Sequence, residues 1–281
     1  MSTRAERAPA RRGLLAELTA GALEDAAHRE QVRSLTDVEA AAVARPPARD
    51  ALAALAPSGH VKIIAEVKRA SPSRGDLAAI PDPALQARRY QDGGASVVSV
   101  LTEGRRFKGS LADLESVRAA VDIPVLRKDF IATEYQVLEA RAAGADLVLL
   151  IVAALDQATL ERLHALTLDL GMTPLVEAHS ADEVDRASEI GARLVGVNAR
   201  DLSTFELDSD LFGRLVGRVP DGVVKVAESA VLAPADVAHY RRAGADAVLI
   251  GEALVTGDPV ATLGTFLEAG AFDPRDGRRH P

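Results

Sequence analysis

Eight short apolar runs recur along the chain, and amphipathic segments separate each run from the next. The runs lie at about residues 62–67, 96–101, 123–127, 146–152, 173–178, 194–198, 223–228 and 246–250. Short apolar runs that alternate with helical periodicity predict βα units and a parallel sheet. Eight such units predict an α/β fold of the (β/α)8 TIM-barrel type rather than an open doubly wound sheet. No GxGxxG or Walker-type loop supports a Rossmann or P-loop alternative.

A repeated phrase predicts where the helices end. A helix-like segment, then Gly-Ala, then an apolar run occurs in QDGGASVVSVLT, ARAAGADLVLLIV, ASEIGARLVGVNA and YRRAGADAVLIG. In each, glycine stands where a helix C-terminus favours a left-handed residue. The predicted N-caps or first-turn residues of the helices are Asp82, Ser110, Thr133, Asp156, Ser180 and Asp258.

Residues 1–60 stand outside the repeat and predict a helical N-terminal extension. Residues 14–32 and 34–43 have helical sequence, and prolines at 46–47 and 57 mark breaks. We expect this extension to pack on a barrel formed by residues 61–268, in one domain overall. Residues 269–281 have no pattern and predict a frayed tail.

The composition narrows the function classes. A formal net charge of −8 disfavours a nucleic-acid or anionic-membrane surface, and 3% aromatic residues with no Trp disfavour base stacking. The absence of Cys excludes disulfides, thiolate metal sites and Cys nucleophiles. The apolar stretch after the basic N-terminus is interrupted by Glu17, Glu24 and Asp25, unlike a signal peptide, so we expect a cytoplasmic protein.

Five of the apolar runs end on charged or polar side chains that predict one shared site. These residues are Glu66 and Lys68, Lys128, Glu177, Asn198 and Arg200, and Glu228 and Ser229. Each strand-end residue lies two positions after a small or apolar one, as in the pairs Ile64–Glu66, Leu126–Lys128, Leu175–Glu177, Gly196–Asn198 and Val226–Glu228. Such pairs share the interior face of a strand. Because an unpaired buried charge is costly, convergence at the carboxyl end of a barrel predicts a catalytic or binding site. The alternative is a structural ion-pair network.

Two further segments predict an anion site near the same end. ASPSRG at 70–75 places Ser71, Ser73 and Gly75 after the first strand, where hydroxyls and free backbone N–H groups suit phosphate oxygens. The segments at 228–230 and 250–255 follow the seventh and eighth strands, where TIM barrels frequently bind phosphate.

Seven motifs resemble those of the indole-3-glycerol phosphate synthase family. They are EVKRASPSRG, SVLTEGRRFKGS, PVLRKDFI, YQVLEARAAGADLVLLIVAAL, LVEAHS, GVNARDL and KVAESA, and the resemblance covers about residues 12–268. It implies a carboxy-lyase of tryptophan biosynthesis that acts on 1-(2-carboxyphenylamino)-1-deoxyribulose 5-phosphate. The implied reaction is ring closure with loss of CO2 and water, without cofactor or metal. Tryptophan synthesis and a specialised indole pathway both remain open.

The resemblance also implies roles for individual residues. The catalytic set is Glu66, Lys68, Lys128, Glu177, Asn198, Glu228 and Ser229, and the substrate-binding set is Ser71, Phe107, Phe130, Arg200, Leu202, Gly251 and Glu252. Lys128, an ammonium whose pKa we expect its neighbours to lower, would protonate the ketone oxygen with Glu177 as partner. Lys68 and Glu66 would serve dehydration, although Lys68 could instead hold the departing carboxylate. Asn198 would orient a hydroxyl.

The chain departs from the family pattern at two positions. The family usually has Gly where this chain has Ala230, and often Ser where it has Ala253. If position 230 requires a positive φ, Ala would cost ~1 kcal/mol and weaken substrate binding. His179 shares the parity of Glu177 and is expected at the rim of the barrel.

Two other functions remain open. A Schiff-base aldolase also uses strand-end lysines, and a catalytically silent barrel could bind a phosphorylated ligand or scaffold a partner. The absence of GxSxG and HExxH disfavours a hydrolase and a zincin. The expected partner is a small phosphorylated substrate, with no nucleic acid or membrane, and the expected state is a monomer.

Overall fold

Eight parallel strands close into a barrel in the structure, a computed structural model that describes residues 13–201 and 206–271. The barrel strands are β1 (Lys62–Val67), β4 (Val97–Leu101), β5 (Val125–Lys128), β6 (Leu147–Ile151), β7 (Thr173–Ala178), β8 (Leu194–Asn198), β9 (Val224–Glu228) and β10 (Ala247–Ile250). Each pairs with its neighbours in chain order, and β10 closes on β1. This confirms the predicted TIM barrel, with every strand within two residues of its expected bounds.

Twelve α-helices occur in the described ranges. They are α1 (Leu14–Val32), α2 (Leu35–Val43), α3 (Ala51–Leu55), α4 (Pro83–Asp92), α5 (Leu111–Ala120), α6 (Glu134–Ala143), α7 (Gln157–Asp169), α8 (Ala181–Glu189), α9 (Leu211–Leu215), α10 (Pro234–Ala243), α11 (Glu252–Val255) and α12 (Pro259–Ala269). All six predicted N-cap side chains accept a hydrogen bond from the first turn of their helix. Gly94, Gly144, Gly191 and Gly244 have φ between 71° and 106°, which confirms the predicted left-handed helix ends.

The hairpin that follows β1 was not predicted from the sequence. The segment ASPSRGD, expected as an open anion-binding loop, contains the antiparallel hairpin of β2 (Ala70–Ser71) and β3 (Gly75–Asp76). The chain reverses there because Gly75 takes a φ of 67°, which glycine adopts without steric cost. The hairpin follows β1 directly and holds Ser71 at the mouth of the barrel.

The core has an outer layer between strands and helices and an inner layer inside the barrel. Ile64, Leu126, Leu175 and Val226 belong to the inner cluster, as the alternation predicted. Leu18 and Ala22 of α1 and Ala51 and Leu55 of α3 belong to the same cluster. Helices α1 and α3 therefore pack continuously with the barrel interior, whereas the buried residues of α2 belong to a separate cluster. The terminal segments 1–12 and 272–281, and with them most of the predicted tail, lie outside the described residues.

A buried ionic network joins α1 to β5. Arg127, fully buried, donates to Glu139 Oε2 and Asp129 Oδ2, each at 3.0 Å. Arg29 of α1 donates from Nε to Glu139 Oε1 at 2.6 Å. Arg127 has the opposite parity to Lys128, so the two side chains leave opposite faces of β5. None of the described helices is long and apolar enough to cross a bilayer.

Candidate active site

The carboxyl ends of the barrel strands surround two adjoining pockets that bring the predicted site residues together. Eleven of them line the first: Glu66, Lys68, Ser71, Phe107, Lys128, Phe130, Glu177, Asn198, Arg200, Ser229 and Glu252. Glu228 and Gly251 line the second. The strand register explains the convergence, because Leu101 pairs with Lys128, Ile151 with Glu177 and Asn198 with Glu228. The remaining predicted residue, Leu202, lies outside the described residues.

Lys128 is the centre of charge in this site. Its Nζ lies 3.5 Å from Glu228 Oε2, 3.8 Å from Glu177 Oε2 and 3.9 Å from Glu66 Oε2. Burial opposes the charge of the ammonium, but the three carboxylates outweigh burial and raise its pKa above the ordinary lysine value. The expectation that neighbours lower this pKa was wrong, because they are carboxylates rather than cations. Lys128 is therefore a protonated ammonium rather than a free amine. A free amine is the nucleophile that Schiff-base chemistry needs, so this disfavours the aldolase.

Glu228 is the carboxylate nearest to Lys128, at 3.5 Å, and burial affects its pKa. It is only 1% exposed, and burial together with the charge of Glu177 raises its pKa well above the ordinary value, against the opposing effect of Lys128. Gly196 on the next strand makes room for it, since a Cβ at 196 would lie 2.1 Å from Glu228 Oε1. Sequence reasoning noted Gly196 only as a small interior residue.

Glu66 and Lys68 form a close ion pair beside Lys128. Lys68 Nζ lies 2.9 Å from Glu66 Oε1, and Ser99 Oγ donates to Glu66 Oε2 at 3.4 Å. Burial alone would raise the pKa of Glu66, but Lys68 and Lys128 outweigh it and lower that pKa. A Cβ at Gly251 would lie 2.8 Å from Glu66 Oε1, so the glycine leaves space for this pair.

Asn198 and Ser229 are fixed to each other across β8 and β9. Ser229 Oγ donates to Asn198 Oδ1 at 2.8 Å, and the backbone N–H of Arg200 donates to the same oxygen at 3.0 Å. The Asn198 amide N–H groups therefore point away from these donors. Ser229 and Ala230 have φ of 68° and 54°, so position 230 does adopt the positive φ considered for it from the sequence.

The predicted phosphate end carries an additional cation that sequence reasoning missed. Arg74, from the β2–β3 hairpin, pairs with Glu252 Oε1 at 3.0 Å and lines the second pocket with Arg200 and Gly251. Burial and the charge of Arg74 lower the pKa of Arg200, while Glu252 opposes them. Two guanidinium groups therefore lie at this part of the site, where they suit an anionic group.

An apolar wall lies opposite the charged groups. The rings of Phe107 and Phe130 are 6.2 Å apart between centroids, and Leu18 of α1 lines the same pocket. Glu103 fixes the loop that carries Phe107, because its carboxylate accepts hydrogen bonds from three successive backbone N–H groups at 105–107. Leu18 was not predicted, since nothing in a helix thirty or more residues before β1 indicates that it reaches the mouth of the barrel.

These features define a class of protein: a TIM-barrel enzyme with its ionisable groups gathered at the carboxyl ends of the strands. The family model for indole-3-glycerol phosphate synthase matches residues 15–263, and the chain belongs to that family. The family consists of carboxy-lyases of tryptophan biosynthesis, which confirms the enzyme class that the motifs implied.

Curated relatives support the assignment over nearly the full chain. An indole-3-glycerol phosphate synthase from Leifsonia xyli is 72% identical over 253 residues, covering 90% of this chain and 97% of the relative. One from Beutenbergia cavernae is 56% identical over 268 residues, covering 95% and 99%. One from Mycobacteroides abscessus is 57% identical over 251 residues, covering 89% and 92%.

A solved structure supports the fold independently. Thiamine phosphate pyrophosphorylase from Pyrococcus furiosus superposes with a TM-score of 0.56, covering 75% of this chain and 95% of that one. At 14% sequence identity the likeness concerns the barrel alone.

Proposed function

We propose that this site converts 1-(2-carboxyphenylamino)-1-deoxyribulose 5-phosphate to indole-3-glycerol phosphate, CO2 and water. The observation that carries the proposal is the Lys128 ammonium, held within 3.5–3.9 Å of three buried carboxylates. An ammonium already carries the proton that it donates. It can protonate a ketone oxygen as negative charge develops there.

Substrate binding would use the two ends of the site. The phosphate would lie among Ser71, Arg200 and Gly251, with Arg74 supplying a further cation. The aromatic ring of the substrate would pack against Phe107 and Phe130. By resemblance, Leu202 would also contact that ring. A substrate held at both ends brings its ring carbon and ketone together, which lowers the entropic part of the barrier.

Ring closure and decarboxylation would follow at Lys128. The carboxylate-bearing ring carbon attacks the ketone carbon, a C–C bond forms, and Lys128 protonates the oxygen. The bond to the carboxylate then breaks, CO2 leaves, and its electron pair restores the aromatic ring. Glu177, 3.8 Å from Lys128, would act as its acid/base partner. Glu228 and Ser229, the latter through Asn198, would complete the polar surroundings.

Dehydration would follow at the second ion pair. Loss of the new hydroxyl as water needs an acid for the oxygen and a base for a proton on the neighbouring methylene carbon, so that the C=C bond of the indole ring forms and the N–H is kept. Lys68 and Glu66, 2.9 Å apart, supply both at one place. The alternative role of Lys68, holding the departing carboxylate, uses the same ammonium at an earlier step. Asn198 would orient the hydroxyl.

A fluorescence assay for indole-3-glycerol phosphate tests the proposal. We expect turnover by the wild type and losses of at least about a thousandfold in Lys128→Ala and Glu177→Gln, since both remove a group used in proton transfer. A folded wild type that binds the substrate without turnover would support the silent barrel instead. Borohydride trapping of a stable keto-sugar phosphate adduct would support the aldolase.

We also propose that the protein is a cytoplasmic monomer. The proposal is supported by the biosynthetic family to which the chain belongs and by the net charge of −8, which favours a soluble monomer. Light scattering after size-exclusion chromatography should give a mass near 29.5 kDa, and a mass twice that value would contradict the monomer.

A further inference from the structure

His179 lies directly after β7, between two carboxylates. Its Nε2 is 3.4 Å from Glu177 Oε1, and its Nδ1 is 3.2 Å from Glu183 Oε2. The side chain is 13% exposed. The sequence placed His179 at the rim, but the structure puts its ring in contact with the proposed partner of Lys128.

Glu183 holds the imidazole rigidly. Its Oε2 also accepts the backbone N–H of His179 at 2.8 Å, and its Oε1 accepts from Ser180 Oγ at 3.2 Å. Ser180 in turn caps α8 by accepting from the backbone N–H of Glu183. The orientation of the His179 ring is therefore fixed by the first turn of a helix.

Both ring nitrogens of His179 face carboxylate oxygens, and each contact is favourable only with a proton between the two atoms. Nε2 is buried and makes no hydrogen bond among the described residues, so its 3.4 Å contact with Glu177 is an ion-pair contact rather than a hydrogen bond. The geometry thus favours the imidazolium. Burial lowers the pKa of His179, but Glu183, Glu177 and Asp201 outweigh burial and raise it.

We propose that His179 is a positioning residue for Glu177: held by Glu183, its ring keeps that carboxylate beside Lys128. The two oxygens of Glu177 then face different cations, His179 at 3.4 Å and Lys128 at 3.8 Å. The proposal rests on the proposed function, because it takes Glu177 as the acid/base partner in ring closure. It adds a residue on α8, Glu183, as the anchor of this arrangement.

The pH dependence follows from the charges around the ring. Those facing His179 are Glu177 on β7, Glu183 on α8 and Asp201 after β8, and Glu177 also faces Lys128 on β5 and Glu228 on β9. Removing the imidazolium takes a positive charge away from the carboxylates of the site, which makes protonation of the active site easier. The acid limb of the kcat/KM profile then moves to higher pH.

Three variants separate positioning from folding. His179→Asn and His179→Gln each keep a neutral donor near one of the ring nitrogens but remove the charge, whereas Glu183→Gln keeps the ring and weakens its clamp. His164→Asn is the matched control, since His164 is a buried histidine on α7 whose pKa is lowered by burial alone. Its removal should lower thermal stability without changing the pH profile.

We expect both His179 variants to lose about ten- to a hundredfold in kcat, with KM within about threefold and the acid limb raised by about one pH unit. Glu183→Gln should move the same limb by less. A His179→Asn profile that superposes on that of the wild type, or a loss of activity matched by His164→Asn, would overturn the proposal.

A measurement without turnover separates this proposal from the proposed function. 15N-labelled histidine spectra should show His179 protonated on both nitrogens above pH 6.5, and its pKa should fall in Glu177→Gln. If the wild type has no synthase activity but the spectra show the expected protonation of His179, the proposed function fails and the positioning of Glu177 by His179 is supported. If the wild type is active but the pKa of His179 is at or below 6.5 and does not change in Glu177→Gln, the proposed role of His179 is wrong.

Discussion

Replacing Ala230 by glycine should stabilise the protein and tighten its phosphate end. Ala230 has a φ of 54°, next to Ser229 at 68°, so two successive non-glycine residues are left-handed. A left-handed conformation costs a residue with a Cβ ~1–2 kcal/mol. The added flexibility of glycine in the unfolded chain takes back ~0.4–1 kcal/mol. The net gain in the free energy of unfolding should be ~0.5–1 kcal/mol.

Calorimetry or thermal CD checks this magnitude directly. For a chain of this size, a gain of ~0.5–1 kcal/mol raises Tm by about 1–4 °C. Since Ala230 borders the pocket shared by Arg74 and Arg200, we also expect KM to fall by up to about fivefold, equivalent to ~1 kcal/mol. The kcat should stay within about twofold, because the side chain of Ala230 carries no group that can transfer a proton.

Ala44→Gly is the matched control for the backbone reasoning. Ala44 follows α2, is exposed and has a φ of −71°, which alanine adopts without strain. Glycine there should lower Tm by about 1–4 °C, since only the unfolded-state effect remains. If Ala230→Gly lowers Tm as Ala44→Gly does, left-handed strain at 230 is not a significant energetic term.

Three further predictions concern the architecture of the site. Gly196→Ala places a Cβ 2.1 Å from Glu228 Oε1, so we expect kcat to fall more than about tenfold in a folded protein, and unchanged kinetics would contradict the crowding. Glu228→Gln should raise Tm more at pH 8 than at pH 5. Because the pKa of Glu228 is raised in the folded state, the folded protein holds a proton that the unfolded chain releases above about 4.5, and the wild type loses stability as pH rises. An equal change in Tm at both pH values would refute this. Glu103→Gln weakens the charge-assisted bonds to the loop of Phe107, so KM should rise several-fold and stability fall by ~1–3 kcal/mol, as substrate titration and urea unfolding would show.

The barrel was predictable because its determinants are local and repeated. Strand parity follows from period-two alternation, and each helix carries its own start and stop signals. This is why Ser110 and Gly144 were placed correctly, and why Ile64 and Glu66 fell on the interior face. The β2–β3 hairpin was missed because two residues per strand produce no periodicity.

The electrostatics of the site were only partly predictable. The sequence predicted that Lys128 and three glutamates converge, but the sign of a pKa shift depends on distances of a few ångströms. Those distances are set by the strand register. Arg74 and Leu18 were missed for a related reason: each reaches the pocket from a segment whose local pattern shows only a loop or a helix face.

The network from Arg29 through Glu139 to Arg127 ties α1 to β5, the strand that carries Lys128. Arg127 immediately precedes Lys128, so the strand is anchored on its outer face one residue before it presents the ammonium on the inner one. A barrel trimmed to begin at residue 61 would lose Leu18 from the pocket wall and leave Glu139 with one arginine instead of two. A shortened, permuted or grafted version of this barrel must therefore include α1, because α1 is part of the structure that supports the site.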